Sequence, residues 1–225
     1  MGQKVNPRIF RTPYVKQWQS KWFARLKDFR NFLKKDVLIR KFLAKKLKGN
    51  SVGNIEIERE GEIWRVIIRT AKPGMIIGRG GVDVEKLKKE LEKKFAEKGF
   101  ALEIQIKEIT SPFLSAQIVV ENITADLEKR MPFRRVAKRT LEQIKKAGAQ
   151  GAKIIIKGRL DGGEIARQET FPWGRMPLHT LRANIDYSRG AAFTTYGAVG
   201  IKVWICKGEV FQDSSKIQAD NAQNF

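Results

Sequence analysis

The segment that most constrains the fold is Gly78-Arg79-Gly80-Gly81, a glycine-rich turn between two stretches of helical character. Lys72 to Ile77 precede it, and Val84, Leu87, Leu91 and Phe95 follow at the three- and four-residue spacing of one helix face. Glycine clusters of this kind let a backbone approach phosphate, and three chemistries compete for the motif. A nucleoside-triphosphate loop needs Gly-Lys-Ser/Thr, which does not follow here. A dinucleotide fingerprint needs a third glycine at position 83, where this chain has Asp83, and a strand before the loop in place of a short helix. What remains is Gly-x-x-Gly with one cation, Arg79, inside it. Alone that signal is weak, because a plain helix–helix turn reads the same way.

The flanking pattern gives the loop its meaning. Phe32, Leu33, Leu38, Ile39, Phe42, Leu43 and Leu47 recur at helical spacing, with a break expected near Asp36 and a stop at Gly49-Asn50. Two alternating runs, 55–60 and 63–70, flank Glu60-Gly61-Glu62 as a hairpin would, and Leu102, Ile104 and Ile106 predict a last strand over 101–108. Helix, strand, strand, short helix, glycine loop, long helix, strand is an order that resembles a type II KH domain (αββααβ), here over 29–109. In such a fold the glycines remove side-chain bulk, while backbone N–H groups and the loop cation meet the phosphates of an RNA strand. Gly78, Arg79, Gly80 and Gly81 are therefore candidate RNA-binding residues.

A second unit, 110–211, opens at Pro112. Helices are expected over 113–130 and, after Pro132, over 133–147; Gly148 and Gly151 then precede strands at 153–157, 164–169, 181–187 and 199–205. The class is α+β, with two helices on a mixed or antiparallel sheet. In the third of these strands Arg182, Asn184 and Asp186 alternate with apolar residues, which predicts an exposed polar face. Wound at helical pitch, 133–147 puts Phe133, Val136, Ala137, Leu141, Ile144 and Ala147 on one side. Arg134, Arg135, Lys138, Arg139, Lys145 and Lys146 fall opposite, interrupted only by Glu142. A solvated face normally mixes signs; six cations on one arc repel one another unless an anion covers them. Lys129 and Arg130 extend the patch.

Charge generalises the point. With 45 Lys and Arg against 24 Asp and Glu, the 225-residue chain carries a formal charge of +21, which favours a polyanionic partner. Apolar runs such as Ile154-Ile155-Ile156 are far too short to span a bilayer, so no membrane partner is expected. The first residues lack the apolar core of a secretory signal, and Gly2 without Ser or Thr at position 6 is a poor acylation site. The single cysteine, Cys206, reads as a packed residue in a reducing compartment. Residues 1–28 mix Tyr14, Trp18 and Trp22 with Arg8, Arg11, Lys16 and Lys21. They read as a basic, aromatic arm that either stacks on bases or is pinned to its own domain. Residues 212–225 are polar, without period, and read as a flexible tail.

Several stretches together resemble a known family, the bacterial-type ribosomal protein number three of the small subunit. They are the opening Met1 to Pro7, the Pro73–Gly81 segment and Phe133-Arg134-Arg135, then Gly158–Arg167, Pro177–Tyr187, Thr195-Tyr196-Gly197 and Val203-Trp204-Ile205. The resemblance runs in the family's order over residues 1 to about 211. It implies a cytoplasmic protein of the ribosome, seated in the small-subunit head beside the channel where messenger RNA enters. It also implies contacts with small-subunit ribosomal RNA, with messenger and with the head proteins numbered ten and fourteen, and no cofactor. By position, the family's role in unwinding structured messenger falls on Arg134, Arg135 and Lys138, with Arg139 beside them. Arg159 and Arg167 lie inside a matching stretch and, with Arg175, join the RNA-binding candidates.

Two rivals stand against this reading. A KH protein handling RNA outside the ribosome would work through its KH unit alone, whereas this chain commits half its length to a second basic unit. An enzyme would need a catalytic set, but His179 is the only histidine and sits beside no Cys or carboxylate pair at metal-ligand spacing. Asp161 and Glu164 flank Gly162-Gly163 as hairpin-turn residues do.

Overall fold

Each of the two sheets forms where the sequence alternates, and helices cover one face of each. The computed structural model describes residues 4–12, 14–61, 63–95 and 101–211; the tail expected over 212–225 lies outside the described residues. The chain starts with α1 (Pro7–Phe10) and β1 (Ser20–Lys21). There follow α2 (Leu26–Lys46), β2 (Val52–Glu60), β3 (Ile63–Thr70), α3 (Pro73–Ile77), α4 (Val82–Phe95) and β4 (Ala101–Glu108), the αββααβ order. β2 and β3 pair antiparallel, β4 joins β3 in parallel, and β1 adds in parallel to the far edge of β2. Ile39 and Leu43 of α2, Val66 and Ile68 of β3, and Leu87 and Leu91 of α4 are buried together. Removing apolar surface from water on this scale is what holds a short sheet and its helices in place.

Asp36 does not break α2. It is buried and accepts from Ser20 Oγ (2.5 Å), Trp22 Nε1 (3.1 Å) and Arg40 Nε (2.5 Å), while Arg40 also donates to Gln19 O (2.9 Å) and Ile55 O. A buried carboxylate with three donors is compatible with a continuous helix, since its charge is met by a cation one turn away. The same network ties residues 19–22 to α2 and β2. Trp22 packs on Phe29 and Phe32, so of the two readings of the arm's aromatics this one is pinned, whereas Trp18 and Tyr14 stay exposed.

The second unit contains α5 (Ala116–Glu128), α6 (Phe133–Lys146), β5 (Gly151–Gly158), β6 (Arg167–Gly174), β7 (Ala183–Thr194) and β8 (Gly197–Glu209). Its sheet is antiparallel throughout, in the order β6-β5-β8-β7, and α5 and α6 cover one face. Ile123, Val136 and Ile144 of the helices meet Ile154, Ile156, Ile201 and Val203 of the sheet. The first helix begins three residues later than expected, because 112–114 forms a 3-10 turn. β6 starts at 167, not 164, and runs through Pro172, which an edge strand tolerates. The polar side of β7 does not face solvent at Asp186: its Oδ2 accepts from the Ala116 N–H (3.0 Å) at the start of α5, and Ser188 donates to Gln117 Oε1 (2.5 Å).

The two units touch directly. Gly53, at an irregularity in β2, lies where a Cβ would stand 2.6 Å from Ile109 Cδ1 and 2.9 Å from Ser115 Oγ, with Ile118 of α5 next to it. The arm adds a second tie. Arg11 is fully buried, and its guanidinium donates to the carbonyls of Pro7 (3.0 Å), Pro177 (3.2 Å), Leu178 (2.9 Å) and Thr180 (2.9 Å). One chain segment is thus anchored in the second unit at Arg11 and paired to the first sheet at β1.

Candidate nucleic-acid interface

The glycine loop sits where α3 hands over to α4. Gly78 has φ 73° and ψ −179°, and a side chain there would collide with the Asp83 carboxylate. Gly80 and Gly81 also have positive φ (62° and 82°), but nothing lies within 4 Å of where their side chains would be. Bare backbone therefore faces outward, with Arg79 exposed beside it. Met75, Ile77 and Val82 are exposed around the loop and offer an apolar shelf to bases whose phosphates the loop would grip. Asp83 and Glu85 in the first turn of α4 limit the positive potential there.

On α6 the two sides divide as expected except that Leu141 and Ala147 are only half-buried and Thr140, bonded to Val136 O, is buried with the apolar residues. Phe133, Val136, Ala137, Thr140 and Ile144 are buried; Arg134, Arg135, Lys138, Arg139, Lys145 and Lys146 are exposed. Among the described residues none of Arg135, Lys138, Arg139, Lys145 and Lys146 has a carboxylate within ion-pair distance. Arg130 stands at the α5–α6 turn with φ 61°, its N–H bonded to Leu127 O (2.9 Å) and the next N–H, of Met131, to Asp126 O (3.1 Å). An L side chain in that region costs about 1 kcal/mol, which glycine would not.

Arg134 differs from its neighbours. It forks onto Glu169 of β6, with Nη2 to Oε1 at 2.9 Å and Nε to Oε2 at 3.3 Å, and Arg167 Nε lies 3.9 Å from the same carboxylate. The hydrogen bond from Arg134 holds the Glu169 carboxyl below the ordinary glutamate value, with partial desolvation opposing it. The structure so brings Arg134 and Arg167 together around an acid that sequence reasoning missed. Its register opposite Ile156 of β5, whose side chain lies in the helix-covered core, puts Glu169 on the α6 side of the sheet, a pairing that no local pattern shows. Arg159 is used internally, donating to Gly163 O (3.0 Å) and Tyr196 O (3.4 Å). Arg175 is exposed in the loop after β6. The glycine loop and the α6 face belong to different units and do not form one continuous element. His179 is exposed in a loop, and Cys206 is buried. No helix among the described residues is long and apolar enough to cross a membrane.

An αββααβ sheet with an outward glycine loop, joined to a second unit with an uncompensated cationic helix, defines a class: an RNA-binding protein with a KH domain. Comparison with known proteins agrees. The family model described as KH domain matches residues 38–114, and that described as Ribosomal protein S3, C-terminal domain, matches 123–205. Among curated relatives, the small ribosomal subunit protein uS3 of Desulforamulus reducens is 49% identical over 216 residues, covering 96% of each chain. That of Caldicellulosiruptor saccharolyticus is 50% identical over 210 residues, covering 93% of this chain and 94% of the relative. That of Desulforudis audaxviator is 49% identical over 213 residues, 95% and 96%. The chain belongs to the uS3 family of ribosomal proteins, which are structural and RNA-binding, not enzymes.

Proposed function

We propose that this chain is a structural constituent of the small ribosomal subunit in the cytoplasm, that it holds ribosomal RNA, and that it grips incoming messenger RNA at the entry channel with the outer face of α6. One observation supports the messenger role: apart from Arg134, the exposed cations of α6 have no carboxylate partner among the described residues, and on this reading a polyanion supplies their counter-charge. On this reading Arg135, Lys138 and Arg139 meet phosphates directly, and Arg134 joins them when RNA competes with Glu169. The Gly78–Gly81 loop holds a second stretch of backbone, and Arg130, Lys145 and Lys146 widen the α6 track. Small-subunit head proteins ten and fourteen are the protein neighbours this reading expects. The test is to assemble small subunits with the variant Arg134→Glu, Arg135→Glu, Lys138→Glu, whose sites all lie on the polar arc. Subunits should assemble and translate unstructured messenger normally, yet slow at a stable hairpin. Equal speed through the hairpin would refute the messenger role.

A further inference from the structure

The second sheet has another face, opposite the one that α5 and α6 cover. Cross-strand register lays it out as rows running β6 to β5 to β8 to β7. One row is Pro172, Lys153, Trp204, Tyr187; the next is Thr170, Ile155, Lys202, Arg189; the third is Gln168, Lys157, Gly200, Ala191. No carboxylate stands in these rows. Lys202 and Arg189 are direct cross-strand partners, a like-charge pairing that an ordinary solvated sheet avoids. Lys157, Arg189 and Lys202 are exposed, and none has an ion-pair partner among the described residues. In the first row the Tyr187 and Trp204 rings lie 5.0 Å apart, with Lys153 Nζ 5.9 Å from the Trp204 centroid.

This face is not flat and open. Residues 4–10 run along it as an opposing wall, bringing Lys4 and Arg8, and together they enclose a groove of about 1660 Å³. The wall is held by Arg11 in its cage of carbonyls and by Asn6, whose Oδ1 accepts from Arg8 N–H (2.9 Å). The groove exceeds the roughly 300–1,000 Å³ that encloses a small ligand, which suits part of a polymer better than a small molecule. Among the residues that line it, Lys4, Arg8, Lys153, Lys157, Arg189 and Lys202 are cations and none is an acid.

We infer that this groove is a second RNA-docking surface, distinct from α6. There Lys153, Lys157, Arg189 and Lys202 hold a sugar–phosphate strand, and Tyr187 and Trp204 offer a platform on which a base stacks. Concavity and paired aromatics favour RNA over a membrane, and rows without a single acid favour a polyanion over an ordinary protein face.

The full-length protein provides the test, with a labelled single-stranded RNA of about 20 nucleotides as probe and affinity measured across a salt series. Four proteins are compared: unmodified; Lys157→Gln, Arg189→Gln, Lys202→Gln; Arg135→Gln, Lys138→Gln, Arg139→Gln; and all six changes. Each is checked for an unchanged melting temperature, and Lys157→Arg, Arg189→Lys, Lys202→Arg serves as the charge-preserving control. Loss of about tenfold in affinity and a shallower salt slope from the groove variant alone, further lowered by the α6 changes and restored in the control, is the expected result. Ultraviolet cross-linking should map RNA to peptides containing Tyr187 or Trp204. If the groove variant binds as the unmodified protein does, the groove proposal falls while the α6 reading stands. If only the groove variant loses affinity, the reverse holds. Equal binding of polyglutamate, with no cross-link to either aromatic, would make the groove an acidic-protein surface and overturn the proposal.

Discussion

Helices α4 and α6 are both fourteen residues long and both rich in cations, yet their charges are settled in opposite ways. On α4 the lysines alternate with Asp83, Glu85, Glu90 and Glu92. Lys86 lies 3.7 Å from Asp83, Lys88 lies 3.9 Å from Glu92, and Glu90 is paired with Lys46 of α2. On α6 the lone acid, Glu142, forms no ion pair among the described residues, and the one carboxylate that reaches the helix comes from β6 to Arg134. Local composition alone would rank the two helices together. Arrangement separates them: α4 is a solvated face whose i,i+3 and i,i+4 pairs contribute a few tenths of a kcal/mol each, and α6 is a face whose cations, Arg134 apart, have no carboxylate partner among the described residues.

The sharpest way to break that comparison is a matched pair of triple variants. Arg135→Glu, Lys138→Glu, Arg139→Glu on α6 should cost about 100-fold or more in RNA affinity at low salt, because three phosphate contacts become repulsions. Lys88→Glu, Lys89→Glu, Lys93→Glu on α4 changes net charge equally but should cost only about threefold, through long-range potential that salt screens. Filter binding with the same RNA checks both. Equal losses would show that net charge, and not the helix face, governs binding. Next in size is Arg130→Gly. Relief of the left-handed strain should raise unfolding stability by about 1 kcal/mol while RNA affinity falls severalfold, as read by urea unfolding and by the same binding assay. A cation held at a backbone cost belongs to the α6 surface; unchanged stability would remove that argument.

The same contrast explains what was legible in the chain before its structure. The first unit was readable because period 3.6 gives way to period 2 at Ile55 and returns after Gly81, and because the loop glycines mark the joint. The α6 face was readable because binary patterning fixes a helix's two sides. Residues with two jobs were not readable. Pro172 and Gly190 look like breaks, yet both lie inside strands: Pro172 on an edge, Gly190 where a side chain would press on Val120 of α5. Asp36 looks like an interruption and is a buried hub for Ser20, Trp22 and Arg40. Arg11 looks like one more cation of the arm, and only the carbonyls of Pro177, Leu178 and Thr180, far away in sequence, show that it is an anchor. Each depends on a partner that no local pattern reveals.

Two smaller effects sharpen the comparison from the acidic side. Glu169→Gln frees Arg134 without adding charge elsewhere and should raise RNA affinity by about twofold to threefold, roughly one recovered cation. No gain would mean that RNA already displaces Glu169 at no cost.

Acid should then distinguish the two units. In the first, Glu58 is held below the ordinary value of 4.5 chiefly by its hydrogen bond from Lys21, Glu90 by Lys46, and Glu103 by Gln105 and Arg65. A carboxyl whose folded pKa is lowered stabilises the fold above its unfolded value, and that stabilisation is lost as pH falls through the folded value. In the second unit Glu169 behaves likewise, but Glu121 is pushed up by burial, against a weaker opposing bond from Gln117. Its charge is a cost at neutral pH, and protonation on acidification relieves it. The first unit should therefore soften before the second between about pH 5 and pH 3, read as earlier loss of amide-exchange protection in β3 than in β8 after correction for intrinsic rates. The effect is small because most of these carboxyls are exposed and screened. Simultaneous loss in β3 and β8 would instead mean that the Gly53 contact and the Arg11 anchor make the two units unfold as one, in which case the internal charge balance of α4 has no separate bearing on acid stability.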